Sequence, residues 1–313
     1  MQLNIVFVGT SEFGIPSLRR LKEEKDINVK LVITRKDKPK GRGYELCPPP
    51  IKKEAIALNL DIFQPESIND IETVSLISRI RPDYIVVIAY GERLSNDILR
   101  LPKIGAVNLH ASLLPELRGA CPINWAIIRG LERTGITTIL MSEKIDAGKI
   151  LLQTDIHIET NEDAGMLSER LSIISADLIY STLIAYAKGR ITPRAQDGTK
   201  ASTAPRIKDE HCLINWSKSA REIHNLIRGL SPTPLALSYI NEKRVKVIKS
   251  ELSDFRAKGD PGEIVEITKK GAIVMTGDIC ILISEVQFEG KKKMNPYNLL
   301  QGRLLNKGQV FGK

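Results

Sequence analysis

The run YIVVI, residues 84–88, is five apolar residues in a row, four of them β-branched. A strand with one wet face alternates apolar and polar side chains, so an unbroken run marks a strand covered on both faces. Upstream, Ile71–Ile80 carries apolar residues at helical spacing, and downstream Ile104–Leu109 reads as another strand. Nearer the N-terminus, Asn4–Val8 is a short apolar run ending in Gly9, followed by a helix through Leu18–Leu21. Val29–Ile33 then reads as a strand and Ile51–Leu58 as a helix. Strands that alternate with helices predict a doubly wound, mostly parallel α/β sheet. Such sheets bind ligands beyond the carboxyl ends of their strands, and Asn108 and His110 sit at such an end.

With 313 residues and 42% hydrophobic content the chain has ample core, and its length fits two domains. No run approaches the 18 or so apolar residues of a membrane-spanning helix. MQLNIVFVG enters a strand at once, without a basic leader, so a cytoplasmic protein with no membrane partner is expected. Cys47, Cys121, Cys212 and Cys280 are scattered without a C-x-x-C pair, which favours ordinary thiols over a disulfide frame and predicts no metal site. The formal charge is +9, unevenly placed: 27 basic against 25 acidic residues in 1–200, and 19 against 12 in 201–313. A basic C-terminal third points to a polyanion, nucleic acid before membrane.

Residues 35–50, RKDKPKGRGYELCPPP, break the pattern. Lysines, glycines and three consecutive prolines exclude a helix or a central strand, and an exposed basic loop of this length inside an α/β sheet suggests a contact role. Leu167–Ala187 is a long amphipathic helix, and residues 189–210 are polar, non-periodic and rich in Pro and Gly. Beyond a short helix near Ala220–Ile227, the runs LALSYI, RVKVIKS, GEIVEI, GAIVMTG and ICILISEV predict a small β-barrel of OB-like kind. The expected organisation is a Rossmann-like domain over 1–188, a linker over 189–210 and the barrel over 211–313. A monomer is expected.

Asn108 and His110, two apart on a strand, share one face. An amide donor and an imidazole converging on one atom suit the oxyanion of a carbonyl under attack. No G-x-S-x-G elbow occurs, so direct acyl-type transfer is expected, without a covalent enzyme intermediate. A carboxylate is needed to orient the imidazole and to help collect a proton, and Asp146 in MSEKIDAGKI, after the strand-like GITTILM, is the candidate. Ser112-Leu113-Leu114-Pro115 lacks the glycines of a phosphate loop and suits a flat aromatic ligand. GTSEFG is not G-x-G-x-x-G, and no Walker A sequence occurs, so neither a dinucleotide nor ATP is expected.

Asn108-x-His110 followed by SLLP and Arg118-Gly119, with Asp146 downstream, resembles the formyltransferases that use 10-formyltetrahydrofolate. PKGRG (39–43) ahead of CPPPIKKEA, APRI (204–207), INW (214–216) and TGDICILISEVQFEGKKKM (276–294) extend the likeness nearly end to end, toward the members acting on initiator methionyl-tRNA. The resemblance implies that Asn108 and His110 polarise the formyl oxygen, and that Asp146 orients His110 and helps move a proton. It implies folate contacts from Ser112, Leu113, Leu114 and Pro115, and from Ile88, Tyr90 and Gly91 in VVIAYGERL. It implies tRNA contacts from Lys40 and Arg42 in the basic loop and from Lys291, Lys292 and Lys293 in the barrel. Ala111, Glu116, Tyr44-Glu45 and Ala147-Gly148-Lys149 depart from the usual family residues, and none of these removes a catalytic group. Two other readings stay open: a formyltransferase acting on an amino-sugar nucleotide, and a non-catalytic tRNA-binding protein on an inherited fold.

Overall fold

The computed structural model describes residues 2–40 and 44–312. The chain divides into two compact units, one formed by 1–122, 134–156 and 168–205, the other by 123–133, 157–167 and 206–313.

In the first unit the apolar runs become β1 (Leu3–Gly9), β2 (Ile27–Ile33), β5 (Ile62–Phe63), β6 (Tyr84–Ile88), β7 (Gly105–His110), β8 (Arg133–Leu140) and β9 (Lys149–His157). They form one sheet in the order β5-β2-β1-β6-β7-β8-β9. β1, β2, β5, β6 and β7 pair in parallel, and β8 pairs antiparallel to β7. The helices of this unit are α1 (Ile15–Glu23), α2 (Pro50–Ala57), α3 (Ile71–Ile80), α4 (Asn96–Leu99) and, from residue 168 on, α6 (Ala164–Ala187), whereas α5 (Pro122–Ile128) falls almost wholly in the second unit. Tyr84–Ile88 is buried at every position, as an unbroken apolar run requires. The Tyr84 hydroxyl reaches the Leu183 carbonyl of α6 at 3.1 Å, so the one polar atom on that strand's side chains is satisfied. The order reverses direction between β1 and β6, and the carboxyl ends of these two strands flank the crevice where doubly wound sheets bind ligands.

The basic loop contains a two-stranded ribbon, β3 (Lys38–Lys40) against β4 (Glu45–Cys47). A two-stranded ribbon is all edge, which is where a strand tolerates Pro39. Tyr44 and Leu46 stand exposed on it. The Arg42 residue and the Lys40 side chain, both expected to contact tRNA, lie outside the described residues.

The second unit carries β10 (Ala236–Ile240), β11 (Lys243–Leu252), β12 (Ile264–Thr268), β13 (Gly271–Met275) and β14 (Cys280–Phe288), with α7 (Ala220–Leu230) and α8 (Pro296–Gln301). The five strands form an antiparallel sheet in the order β10-β11-β14-β13-β12. Its two edges are bridged by the C-terminal segment. Ile264 donates to the Gln309 carbonyl, Phe311 to that of Gly262, and Gly312 to that of Tyr239. Part of each open edge, at Ile264 of β12 and Tyr239 of β10, is thus paired. Trp216 stacks on Phe311 with ring centroids 5.1 Å apart and donates its indole N–H to Ser238 at 2.9 Å. No helix among the described residues is long and apolar enough to cross a membrane.

α7 opens with a capping box, Ser219 and Glu222 each satisfying the other's backbone N–H. It buries His224, whose Nε2 donates to the Thr160 carbonyl at 3.1 Å while Nδ1 accepts from the Ser250 hydroxyl at 3.0 Å. Burial, reinforced by the charges of Arg228 and Arg221, pushes this imidazole below its ordinary 6.5, against the opposing pull of the Thr160 carbonyl. As the pH falls, the unfolded chain therefore takes up this proton before the folded one. The stabilisation is complete above about 6.5 and is lost as the pH falls through the folded-state value. Melting temperature should drop between about pH 7 and 5, and His224→Gln should flatten that slope. Coincident slopes for the two proteins would show that the buried neutral imidazole does not contribute.

Candidate functional site

Asn108 and His110 lie at the carboxyl end of β7, paired with Ile139 and Thr137 of β8. The strand's period of two puts both on one face, and burial differs between them: Asn108 is half-buried and His110 is 6% exposed. Among the described residues no hydrogen bond engages the Asn108 carboxamide. His110 is engaged on both edges of its ring. Nε2 lies 3.0 Å from the Leu117 carbonyl, which can only accept, so Nε2 carries the hydrogen there. Nδ1 faces the Asp146 carboxylate at 3.7 Å, a contact longer than a hydrogen bond.

Asp146 comes from the turn between β8 and β9, with a left-handed backbone, φ +50. Its Oδ2 accepts from the Gly119 N–H at 2.9 Å. Gly119 itself has φ +124, and a Cβ there would stand 2.6 Å from the Ala204 carbonyl oxygen, so only glycine fits between the two segments. The Arg-Gly after the SLLP loop is thereby explained: its glycine admits the close approach that lets its N–H reach Asp146.

The SLLP loop is built inward. The Ser112 hydroxyl is buried and donates to the Glu116 carbonyl at 2.6 Å. Thr137 donates to the Ser112 carbonyl and accepts from the Leu114 N–H, and Gln153 donates to the Leu114 carbonyl. Leu114 packs with Ile139 and Ile150, and the Leu114–Pro115 peptide bond is cis. The Ser112 and Leu114 side chains are thus spent on the loop, and Leu113 and Pro115 are half-buried. At the end of β6, Ile88 and Tyr90 point inward while Ala89 and Gly91, both with positive φ, turn outward. Arg35 lies over the Tyr90 ring, 5.5 Å from its centroid, and pairs with Glu92, which Ser67 also contacts. Burial pushes the Tyr90 phenol above its ordinary range. The Thr10 hydroxyl donates to the Tyr90 carbonyl at 3.1 Å and ties the ends of β1 and β6 together.

Lys291, Lys292 and Lys293 are exposed on the turn after β14. This turn belongs to the second unit, whereas Asn108, His110 and Asp146 all belong to the first. Sequence reasoning missed Gln196, Ser202 and Thr137. Gln196 and Ser202 lie in an irregular segment with no periodicity, and Thr137 lies within a strand run whose pattern marks burial and not hydrogen bonding.

A doubly wound domain with an amide, an imidazole and a carboxylate at one strand end, in a chain that also carries an antiparallel five-stranded sheet, fits a group-transferring enzyme of two-domain build. A family model described as formyl transferase matches residues 3–183, and one described as formyl transferase, C-terminal domain, matches 206–304. A methionyl-tRNA formyltransferase of Clostridium acetobutylicum is 42% identical over 99% of both chains. One from Thermodesulfovibrio yellowstonii is 43% identical over 98% of both. A solved methionyl-tRNA formyltransferase from Clostridium thermocellum superposes with a TM-score of 0.57 at 21% identity, covering 80% of this chain and 94% of that one. The chain belongs to the formyl transferase family.

Proposed function

We propose that this protein transfers the formyl group of 10-formyltetrahydrofolate to the α-amino group of methionine on initiator methionyl-tRNA, as a monomer in the cytoplasm. The observation that carries the chemistry is the placing of Asn108 and His110 on one face of the end of β7 with Asp146 facing His110, the Asn108 carboxamide having no hydrogen bond among the described residues. The relatives' names carry the acceptor. Residues 1–188 do the chemistry, the connector 189–210 lies in part against their site through Arg194, Gln196 and Ser202, and 211–313 hold the tRNA.

The folate supplies the formyl group in activated form. The Asn108 N–H groups donate to the formyl oxygen as the amine attacks, with the His110 ring beside them, so the developing negative charge meets donors already in place. Asp146 fixes the His110 ring and takes part in moving the proton that the amine releases to the departing folate nitrogen. Leu113, Pro115 and the outward backbone of Ala89–Gly91 line the folate, while Ser112, Leu114, Ile88 and Tyr90 shape that wall from behind. Arg42 and Lys40 in the basic loop meet the acceptor end, and Lys291, Lys292 and Lys293 meet the phosphate backbone.

The test supplies purified protein with 10-formyltetrahydrofolate and charged initiator tRNA and reads formyl-methionine after ester hydrolysis, with an amino-sugar nucleotide as parallel acceptor. Formylation of the tRNA alone is expected. Formylation of the sugar alone would overturn the acceptor, and silence with both would leave a binding protein. Replacing Lys291, Lys292 and Lys293 by Gln should raise KM for tRNA and leave KM for folate unchanged. It should also flatten the dependence of log affinity on log salt by roughly 0.9 for each phosphate no longer neutralised by a lysine. An unchanged salt slope would make this cluster ordinary solvated surface.

A further inference from the structure

Residues 194–204 run along the candidate site and are hydrogen-bonded to it repeatedly. Arg194 exchanges backbone hydrogen bonds with Ile150 just beyond the Asp146 turn. The Ser202 hydroxyl accepts from the Leu117 N–H, and Leu117 is the residue whose carbonyl holds His110 Nε2. Gln196 is the centre of this strap. Its Oε1 accepts from Arg118 Nε at 3.1 Å and Nη2 at 2.6 Å, and its Nε2 donates to the carbonyls of Asp146 and Gly148, each at 2.8 Å.

These four bonds use the whole capacity of a carboxamide, two acceptor sites and two donor hydrogens. They also fix which way it points. A guanidinium only donates and a carbonyl only accepts, so no flipped amide satisfies both sides. The two anchored carbonyls bracket Ala147, in a turn where Asp146 takes the left-handed conformation that Asp and Asn adopt more readily than other residues with a side chain. Gly148 lies close against the end of β8: a Cβ there would stand 2.0 Å from the Leu140 carbonyl oxygen, so the turn admits no side chain at this position.

We propose that Gln196 is a positioning residue for formyl transfer: by holding the Asp146 and Gly148 carbonyls against Arg118, it sets the turn from which the Asp146 carboxylate reaches Gly119 and His110. The inference rests on the functional reading above, in which Asp146 serves the reaction. Gln196 acts on the chemistry only through Asp146.

The test compares Gln196→Ala and Gln196→Glu, alone and combined with Asp146→Asn. Glu at 196 keeps the acceptor for Arg118 and the volume, but offers carboxylate oxygens where the carbonyls need donors. Both single variants should lower kcat on the order of 10²-fold, the effect of misplacing a catalytic group by about an ångström, with KM for folate unchanged. In the Asp146→Asn background, Gln196→Glu should cost little more, because the group it positions is already gone. Independently of turnover, the Gly119 amide should lose hydrogen-exchange protection in Gln196→Glu at unchanged melting temperature. Near-native kcat in Gln196→Glu, losses that multiply in the double variant, or undiminished Gly119 protection would each overturn the proposal. If Asp146→Asn alone keeps full turnover, the functional reading of Asp146 falls instead, and the Gly119 measurement still decides whether Gln196 holds the turn.

Discussion

Asp146→Asn is expected to lower the turnover of formyl transfer by roughly 10²–10⁴-fold, the range for removal of a group that moves or steers a proton in the transition state. The substitution is informative because almost everything except charge survives it. Asn is tolerated in the left-handed region, so φ +50 at position 146 is not disturbed. The side-chain oxygen of Asn can still accept from the Gly119 N–H, and the backbone carbonyl of residue 146 still accepts from Gln196. What disappears is the carboxylate facing His110 Nδ1. The effect should therefore fall on kcat, with KM for folate and for tRNA near native and the melting temperature little changed. Steady-state kinetics with both substrates varied, alongside thermal denaturation, separates these. Near-native turnover would remove Asp146 from the chemistry, while a rise in both KM values at constant kcat would make it a binding group.

How far the sequence foretold this arrangement depends on which interaction carries each part. YIVVI and NIVFV were legible as strands because burial on two faces imposes an apolar run, and the run survives in one dimension. Asn108 and His110 were legible as neighbours because a period of two is local. Other parts were settled by contacts far apart in the chain. β5 is two residues long and exists through its pairing with Val32 and Ile33, which no local pattern records. The basic segment 35–50 read as irregular because Pro39 and three later prolines mask the short ribbon of β3 and β4. Gln196 lies 50 residues from Asp146 and 78 from Arg118, in a stretch whose prolines and glycine read as a linker. A side chain that bonds backbone carbonyls leaves no periodic trace, so its partners emerge only from the fold. For Gly119 the sequence showed only an Arg-Gly pair, and the close approach to Ala204 gives the reason for the glycine.

Asn108→Ala should cost about 2.7–4 kcal/mol in the barrier, or 10²–10³-fold in kcat, if its carboxamide donates to the developing oxyanion. Three features of the site favour an effect of this size over a mere change in stability. The residue lies within β7, with backbone neighbours in β6 and β8, so alanine keeps the strand ladder. Its carboxamide makes no hydrogen bond to the described residues, so truncation leaves no protein group without a partner. His110, by contrast, already has Nε2 on the Leu117 carbonyl and Nδ1 toward Asp146. The amide is thus the less committed donor of the two, and the oxyanion should depend on it strongly. A donor that acts chiefly in the transition state lowers kcat and kcat/KM together and leaves substrate affinity near native. If Asn108→Ala instead raises KM for folate at constant kcat, the amide binds the ground state, and oxyanion stabilisation passes to His110. Asn108→Asp then discriminates further: an acceptor-only carboxylate beside a developing negative charge should be worse than alanine if the oxyanion forms there, and no worse than alanine if it does not.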